Sequence, residues 1–507
     1  MRPTTSFSQW FYCDRENKRF VLFSAVAIII SFIWLKIIYP FPNFMQPDSN
    51  SYLEAASNNN FINIWPIGYS RFLRFISSFS SSHFLLVSIQ YLLIIASVLY
   101  FLFTIRYLLS PRTWPFRIVF ILSVTNPMLP HIANFVSSDC LFTAFVLLWF
   151  TQLLWLLYKP SKNLLFLHSL VLAFIFTIRL SALYLPFFSI GAILFTTMSK
   201  KLKWAGVGSI TLLLLTIIGR TQYEYKVKTG TVQYSAFSGW QLAANALYAY
   251  AHSPLDSNYV YPVATWDLHA IVNRHMDSLR TLAKRPDEAI GIYYMWDAKS
   301  PLRVNMSKYG DKVQKKSFFQ QWSSFAPMYF TYGKSIITRH PVLYVQYFMW
   351  PNLKRFYEPP ANSMKHYNFA SAALDSIVIK WFDWKTNLLP TKNWEREITT
   401  MSVFPTIVAS LNSLFLIFSF AFIAWVGFKS LDIVPKRLLT CTLFVWWTNL
   451  FFSILTAPIE LRYELFSIII MLPFAGIFLE KVIYSLQSVS PRSQNLAMPL
   501  PDFTKYV

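Results

Sequence analysis

Ten stretches of this 507-residue sequence are apolar over enough residues to cross about 30 Å of hydrocarbon at about 1.5 Å per residue. They lie at roughly 20–39, 84–105, 117–136, 140–158, 164–180, 182–198, 204–219, 403–428, 438–456 and 463–484. No other feature constrains the fold as strongly. The first stretch follows Arg15, Lys18 and Arg19 as a signal peptide would, but it is too long, and Lys36-Ile37-Ile38-Tyr39-Pro40 offers no small-residue cleavage site. It is expected to stay as an anchor. Residues 164–198 are interrupted only by Arg179 and read better as two spans with an outer corner than as one. With 55% hydrophobic, 19% aromatic and only 13% charged residues, a soluble, disordered or collagen-like chain is excluded. The expected fold class is an all-α polytopic membrane protein of about ten transmembrane helices.

The net charge of +22 would point to nucleic acid if it were clustered on a soluble domain; here it mostly flanks the apolar runs. The short segments 1–19, 106–117, 159–163, 199–203, 429–437 and 485–507 carry 17 Lys and Arg, against four on the other side, Arg71, Arg74, Arg179 and Arg462. The positive-inside rule then places both termini in the cytoplasm. The chain divides into four regions: an N-terminal transmembrane module at 1–219 of about seven helices with a first outer loop at 40–83, an extracytoplasmic domain at 220–402, C-terminal transmembrane helices at 403–484, and a cytoplasmic tail at 485–507. The loop 220–402 holds 22 Lys and Arg against 13 Asp and Glu, with helix-like stretches around 265–285 and 317–350 and turns at Ser253-Pro254, Arg285-Pro286 and Pro359-Pro360. It reads as a mostly helical domain resting on the membrane, with the aromatic-rich 335–350 at the interface. Compact loops and a large outer domain suit a periplasm, so a bacterial inner membrane is expected, although an endoplasmic reticulum membrane presents the same topology. Cys13, Cys140 and Cys441 make no disulfide framework or zinc motif.

Ionisable residues at a membrane face are the first place to look for chemistry. The first outer loop reads Gln46-Pro47-Asp48-Ser49-Asn50-Ser51-Tyr52-Leu53-Glu54, then Trp65-Pro66-Ile67-Gly68-Tyr69. Burial would make Asp48 a stronger base, though Pro-Asp-Ser is also a good helix start. The second outer turn runs from Asn126-Pro127 through His131 to Ser137-Ser138-Asp139, where Asp139 could equally cap a helix. His131, in an apolar stretch bounded by prolines, is more often a packed histidine than a ligand. Arg179 and Arg462 fall at outer span ends, where a snorkelling arginine is the bland reading for either alone. Together, two carboxylates and two guanidiniums at one face suit a lipid phosphate, since arginine matches phosphate oxygens in pairs and a carboxylate can take a proton from an attacking hydroxyl. Glu54, Glu460 and Glu464 are spare acids. There is no H-E-x-x-H, no G-x-S-x-G and, with 12 glycines in the chain, no phosphate-cradling loop.

Taken in order, Pro47-Asp48 with Tyr52 and Ala55, Pro66-Ile67-Gly68-Tyr69, Asn126-Pro127 to Ser138-Asp139-Cys140-Leu141-Phe142, Arg179-Leu180-Ser181 and Arg462-Tyr463 resemble the GT-C-type integral membrane glycosyltransferases. These include the protein O-mannosyltransferases and the lipid A aminoarabinose transferase. The resemblance covers 20–198 well and 403–484 loosely; Ile67 stands where a second proline is frequent, and Asp139 where bacterial members often have glutamate. It implies inverting transfer of a sugar from a polyprenyl-phosphate carrier to a lipid, glycan or protein acceptor on the outer face. Asp48 would be the catalytic acid/base, and Asp139 a second carboxylate that orients the acceptor. Members that use a divalent metal would hold it on Asp48 and Asp139, and no other cofactor is expected. Arg179 and Arg462 would hold the donor phosphate, with Tyr52, Tyr69, Glu54, His131 and Tyr463 as acceptor or substrate contacts. The partners would be the lipid-linked donor, the acceptor and membrane lipids, with no nucleic acid. Two other readings remain: a transporter or flippase of polysaccharide or lipid-linked sugar, which should bury charges mid-span and show internal repeats, and a non-catalytic assembly subunit, in which Asp48→Asn should be silent.

Overall fold

The computed structural model of the protein describes residues 5–253, 261–289, 291–310 and 317–489. Eight helices in it are long and apolar enough to cross a membrane: Arg15–Ile38, His83–Leu109, Thr113–Ala133, Ser138–Tyr158, Lys200–Thr229, Thr399–Val426, Ile433–Thr456 and Leu465–Gln487. The chain is thus an integral membrane protein, helical throughout and without a named strand among the described residues. Two shorter apolar helices, Lys162–Ile178 and Leu180–Phe195, take up the stretch 164–198, which divides at Arg179. The turn at Pro254 and the tail beyond 489 lie outside the described residues.

Local chemistry explains most helix ends. The Asp14 carboxylate accepts from the backbone N–H groups of Glu16 and Asn17 and starts Arg15–Ile38, which stops just before Pro40. The third span is broken in the middle. Pro127 brings no N–H to continue the ladder, so Thr113–Val124 ends and Met128–Ala133 begins anew. Helix Lys200–Thr229 runs ten residues past position 219, and ends only at Gly230, whose φ of 75° is a left-handed conformation that costs glycine nothing. The boundary expected at 219/220 therefore falls inside one continuous helix.

Burial orders the bundle from inside out. Ser138–Tyr158 is its most enclosed span, with 78% of its apolar stretch buried, whereas Arg15–Ile38 and Lys200–Thr229 have 11% buried each. The outward-facing Ile29, Ile30, Ile37, Leu212 and Leu215 of those two helices are exposed, as lipid-facing side chains should be. The two ends of the bundle differ in chemistry. At one, Arg106 approaches Asp14, Arg117 bonds Glu16, and the backbone N–H of Arg112 donates to Glu480. At the other meet the connections 39–82, 125–137 and 457–464, with Arg179.

The long segment between Lys200–Thr229 and Thr399–Val426 builds a second core. Helix Ala236–Tyr250 lies against Phe318–Arg339, with the Trp240 and Trp322 rings stacked 3.7 Å apart. The helices approach through glycine: a Cβ on Gly333 would stand 2.7 Å from the backbone nitrogen of Ala243, and one on Gly239 would run into the carbonyl oxygen of Ala326. Backbone cannot step aside as a side chain can, so Gly239→Ala should lower stability by about 1–3 kcal/mol. Thermal unfolding beside Gly208→Ala, where nothing lies within 4 Å, would check this, and equal midpoints would refute it.

Candidate functional site

The site forms where two connections are fastened to each other. The Asn43 N–H donates to the Asn134 carbonyl (2.8 Å), and the Val136 N–H donates back to Asn43 (3.0 Å). The Ser49 hydroxyl accepts from the Met45 N–H and donates to the Val136 carbonyl, both at 2.7 Å. Buried backbone groups of both connections are thereby satisfied, and the fastening fixes where Asp48 and Asp139 stand.

Asp48 is the first residue of helix Asp48–Ser57. Pro47 occupies the cap position and no side chain caps the helix, so the Asp48 carboxylate is turned to another use. Its Oδ2 lies 3.6 Å from Arg462 Nη1, with the side chain only 17% exposed. Burial pushes its carboxyl up to about 6, with Asp139 adding to the rise and Arg462 opposing it. Asp139 sits in the first turn of Ser138–Tyr158, where the helix dipole favours a negative charge. It is 1% exposed, and three groups satisfy it: the Ser137 hydroxyl at 2.9 Å, Arg462 Nη1 at 3.3 Å and Arg179 Nη1. Neither acid is a helix cap by its side chain.

The two arginines play different parts. Arg462, on the turn Leu461–Tyr463, bonds through Nε to Glu460 (3.2 Å), through Nη2 to the Tyr463 hydroxyl (2.6 Å) and through Nη1 to Asp139 and the Met45 sulfur. Its donors are largely engaged. Arg179, at the break between the two shorter helices, hydrogen-bonds through Nη1 alone, which leaves Nε and Nη2 without a hydrogen bond among the described residues. Both guanidiniums lie against the Tyr463 ring, with their carbons 4.7 Å (Arg179) and 4.6 Å (Arg462) from its centre.

Of the other expected contacts, Tyr52, Tyr69 and Tyr463 come to the cluster. The Tyr52 hydroxyl pairs with Ser138 at 3.0 Å and its ring meets Tyr69 edge-on at 5.0 Å; Tyr69 in turn donates to Gln90 at 2.9 Å. Both tyrosines are buried. Glu54 and His131 go elsewhere. Glu54 is exposed and feels the charge of Asp375, while His131 packs against the rings of Trp34 and Tyr39 with Nε2 buried and without a hydrogen bond among the described residues. Glu460, a spare acid in the sequence, belongs to the site: it holds Arg462 and accepts from the Ser363 hydroxyl at 2.5 Å. Glu464 is 1% exposed, its carboxyl pushed up to about 8 by burial. A spare acid next to an arginine in sequence signals such a bond only weakly, since either neighbour can point away.

A divalent ion held by Asp48 and Asp139 does not fit this arrangement. Arg462 Nη1 stands within 3.6 and 3.3 Å of the two carboxylates, so a guanidinium already occupies the position between them. Among the described residues no group of three His, Cys, Asp or Glu gathers as metal ligands. Between the first loop and helix Lys200–Thr229, a cavity of about 50 Å³ is lined by Phe61, Trp65, Thr177, Leu180, Thr221 and Tyr234. It has room for water molecules and none for a sugar. No family model, no curated protein and no solved structure matches this chain.

Proposed function

We propose that the protein is a GT-C-type glycosyltransferase that moves a sugar, with inversion, from a polyprenyl-phosphate-linked donor to a lipid, glycan or protein acceptor. The observation that carries this reading is the juxtaposition of a buried carboxyl poised near neutral pH, Asp48, with a guanidinium that keeps two donor groups free, Arg179. In the reaction the acceptor oxygen forms a bond to the anomeric carbon as the bond from that carbon to the phosphate oxygen breaks. The phosphate leaves with the electron pair, Arg179 bonds the charge it gains, and Asp48 takes the proton of the acceptor hydroxyl. Asp139 and Arg462 hold the geometry: Arg462 ties Asp48 to Asp139, and Asp139 aims Arg179. A donor charged beforehand explains why the sequence has no nucleotide motif. Counting the two shorter apolar helices as spans gives ten passes, with the site on the outer face, both termini in the cytoplasm and, by our reading, the bacterial inner membrane as host.

The test is release of sugar from a panel of labelled polyprenyl-phosphate sugars by the purified protein in liposomes, with acceptors supplied. One donor should turn over, and activity should vanish in Asp48→Asn. No turnover of any donor, with Asp48→Asn cells indistinguishable from wild type, would move the chain to transport or assembly. The pH profile is a second check. A base that titrates near 6 is protonated and inactive below that value, so the rate should fall about tenfold for each pH unit under 6 and level off above it. A rate that rises toward acid would assign Asp48 the opposite protonation state.

A further inference from the structure

Away from the cluster, three arginines from two distant helices gather with no carboxylate bonded to any of them among the described residues. Arg71 and Arg74 lie on helix Gly68–Ser77, and Arg220 on Lys200–Thr229. The guanidinium carbons of Arg71 and Arg220 stand 4.4 and 4.6 Å from the centre of the same ring, Phe61. Arg74 follows Arg71 by three residues on the same helix face. Burial and the charges of Arg74 and Arg220 lower the pKa of Arg71, with Glu224 as the opposing charge. Two of the three have a plain structural use: Arg71 donates to Asn59 and to the Asn60 carbonyl (2.9 Å), and Arg74 to the Ala56 carbonyl (3.0 Å), which satisfies the C-terminal end of Asp48–Ser57. That use does not account for Arg220. It makes no hydrogen bond or ion pair among the described residues, is exposed, and comes from another part of the chain to the same ring.

The surroundings indicate what the charges meet. Phe75 on the same helix and Phe79, two residues past its end, are 61% and 70% exposed, and Phe61 is 39% exposed. Gly68–Ser77 thus sets guanidiniums beside bare phenyl rings, at the end of the bundle that holds Asp48. In a membrane protein this combination fits an interface, with rings among acyl chains and cations level with head groups.

We propose that Arg71, Arg74 and Arg220 bind the phosphate of an anionic membrane phospholipid, whose acyl chains lie along Phe75 and Phe79. Guanidinium offers paired N–H groups to phosphate oxygens, and the anion relieves the mutual repulsion of three cations held together. This site is separate from the Asp48 cluster and does not depend on the activity proposed for it.

The experiment is native mass spectrometry of the full-length protein after exchange into mixed phosphatidylglycerol and phosphatidylcholine, comparing wild type, Arg220→Gln and Arg74→Gln/Arg220→Gln. Wild type should retain phosphatidylglycerol in preference. That preference should fall about fivefold in the single variant and about 10- to 30-fold in the double, with phosphatidylcholine unchanged. An undiminished preference, or equal loss of both lipids, overturns the proposal. Excess inorganic phosphate should not displace the lipid; full displacement would make this a site for soluble anions and end the lipid assignment. Because the Arg220 side chain makes no hydrogen bond among the described residues, the single variant carries the test even if the double does not fold.

Discussion

Asp48→Asn is expected to lower sugar transfer by about 10²- to 10⁴-fold while leaving the protein at least as stable as wild type at pH 7.5. The two halves of this result have one cause. Folding raises the Asp48 carboxyl from its usual 3.8 to about 6, so between those values the folded state holds a proton that the unfolded state has released. Stability from this group is therefore present below about 3.8 and is lost as pH rises through 6. Above pH 6 the ionised side chain opposes folding by up to about 3 kcal/mol, since each tenfold change in proton affinity is worth about 1.4 kcal/mol. An amide of the same shape removes that burden and the basicity together. Transfer rates and unfolding midpoints measured on the same preparations at pH 7.5 and pH 4 would show it, with the stability gain confined to the higher pH. A variant that stays active would remove Asp48 from the chemistry. A variant that is destabilised would make it an anchor for Arg462.

The largest loss of stability should come from Arg462→Ala, about 3–5 kcal/mol. Arg462 serves three carboxylates at once, Asp48, Asp139 and Glu460, and each is mostly or wholly out of water. Taking away the guanidinium leaves Asp48 and Glu460 without their cation and Asp139 with Arg179 alone. The connection 457–464 would also lose its hold on the first loop. Arg179→Ala, which removes a single ion pair, should harm donor binding more than folding. Detergent-solubilised variants followed by thermal unfolding, with Arg462→Lys as the conservative comparison, would separate the two arginines. Similar midpoints for Arg462→Ala and wild type would mean that the buried charges find other partners.

The spans are legible in the sequence because length and apolarity alone decide them: 84–105 becomes His83–Leu109, and 438–456 becomes Ile433–Thr456. The cluster is partly legible. Asp48, Asp139, Arg179 and Arg462 stand out as charges at span ends, and positive-inside counting puts them on one side of the membrane without any knowledge of the packing. Which neighbours join them depends on side-chain direction. On helix Asp48–Ser57, Tyr52 lies four residues from Asp48 and shares its face, whereas Glu54 lies six residues on, about 240° around the axis, and so points away. The direction of His131 is set by how far the break at Pro127 rotates the short helix after it, and no pattern of residue types encodes that angle. The boundary at 219/220 misleads for a related reason: Arg220 ends the apolar run, but the residue that stops a helix is Gly230.

Helix Lys200–Thr229 has one more consequence. Its 30 residues measure about 45 Å, against about 30 Å of hydrocarbon, and Lys203 and Arg220 bracket the lipid-facing part. The last turns form a rigid mast that sets the height and the heading of the helical core built on it. One residue inserted after Arg220 would lift helix Ala236–Tyr250 by about 1.5 Å and swing it by about 100°. How the stacked tryptophans are oriented toward the Asp48 cluster is thus a matter of counting residues along a single rod.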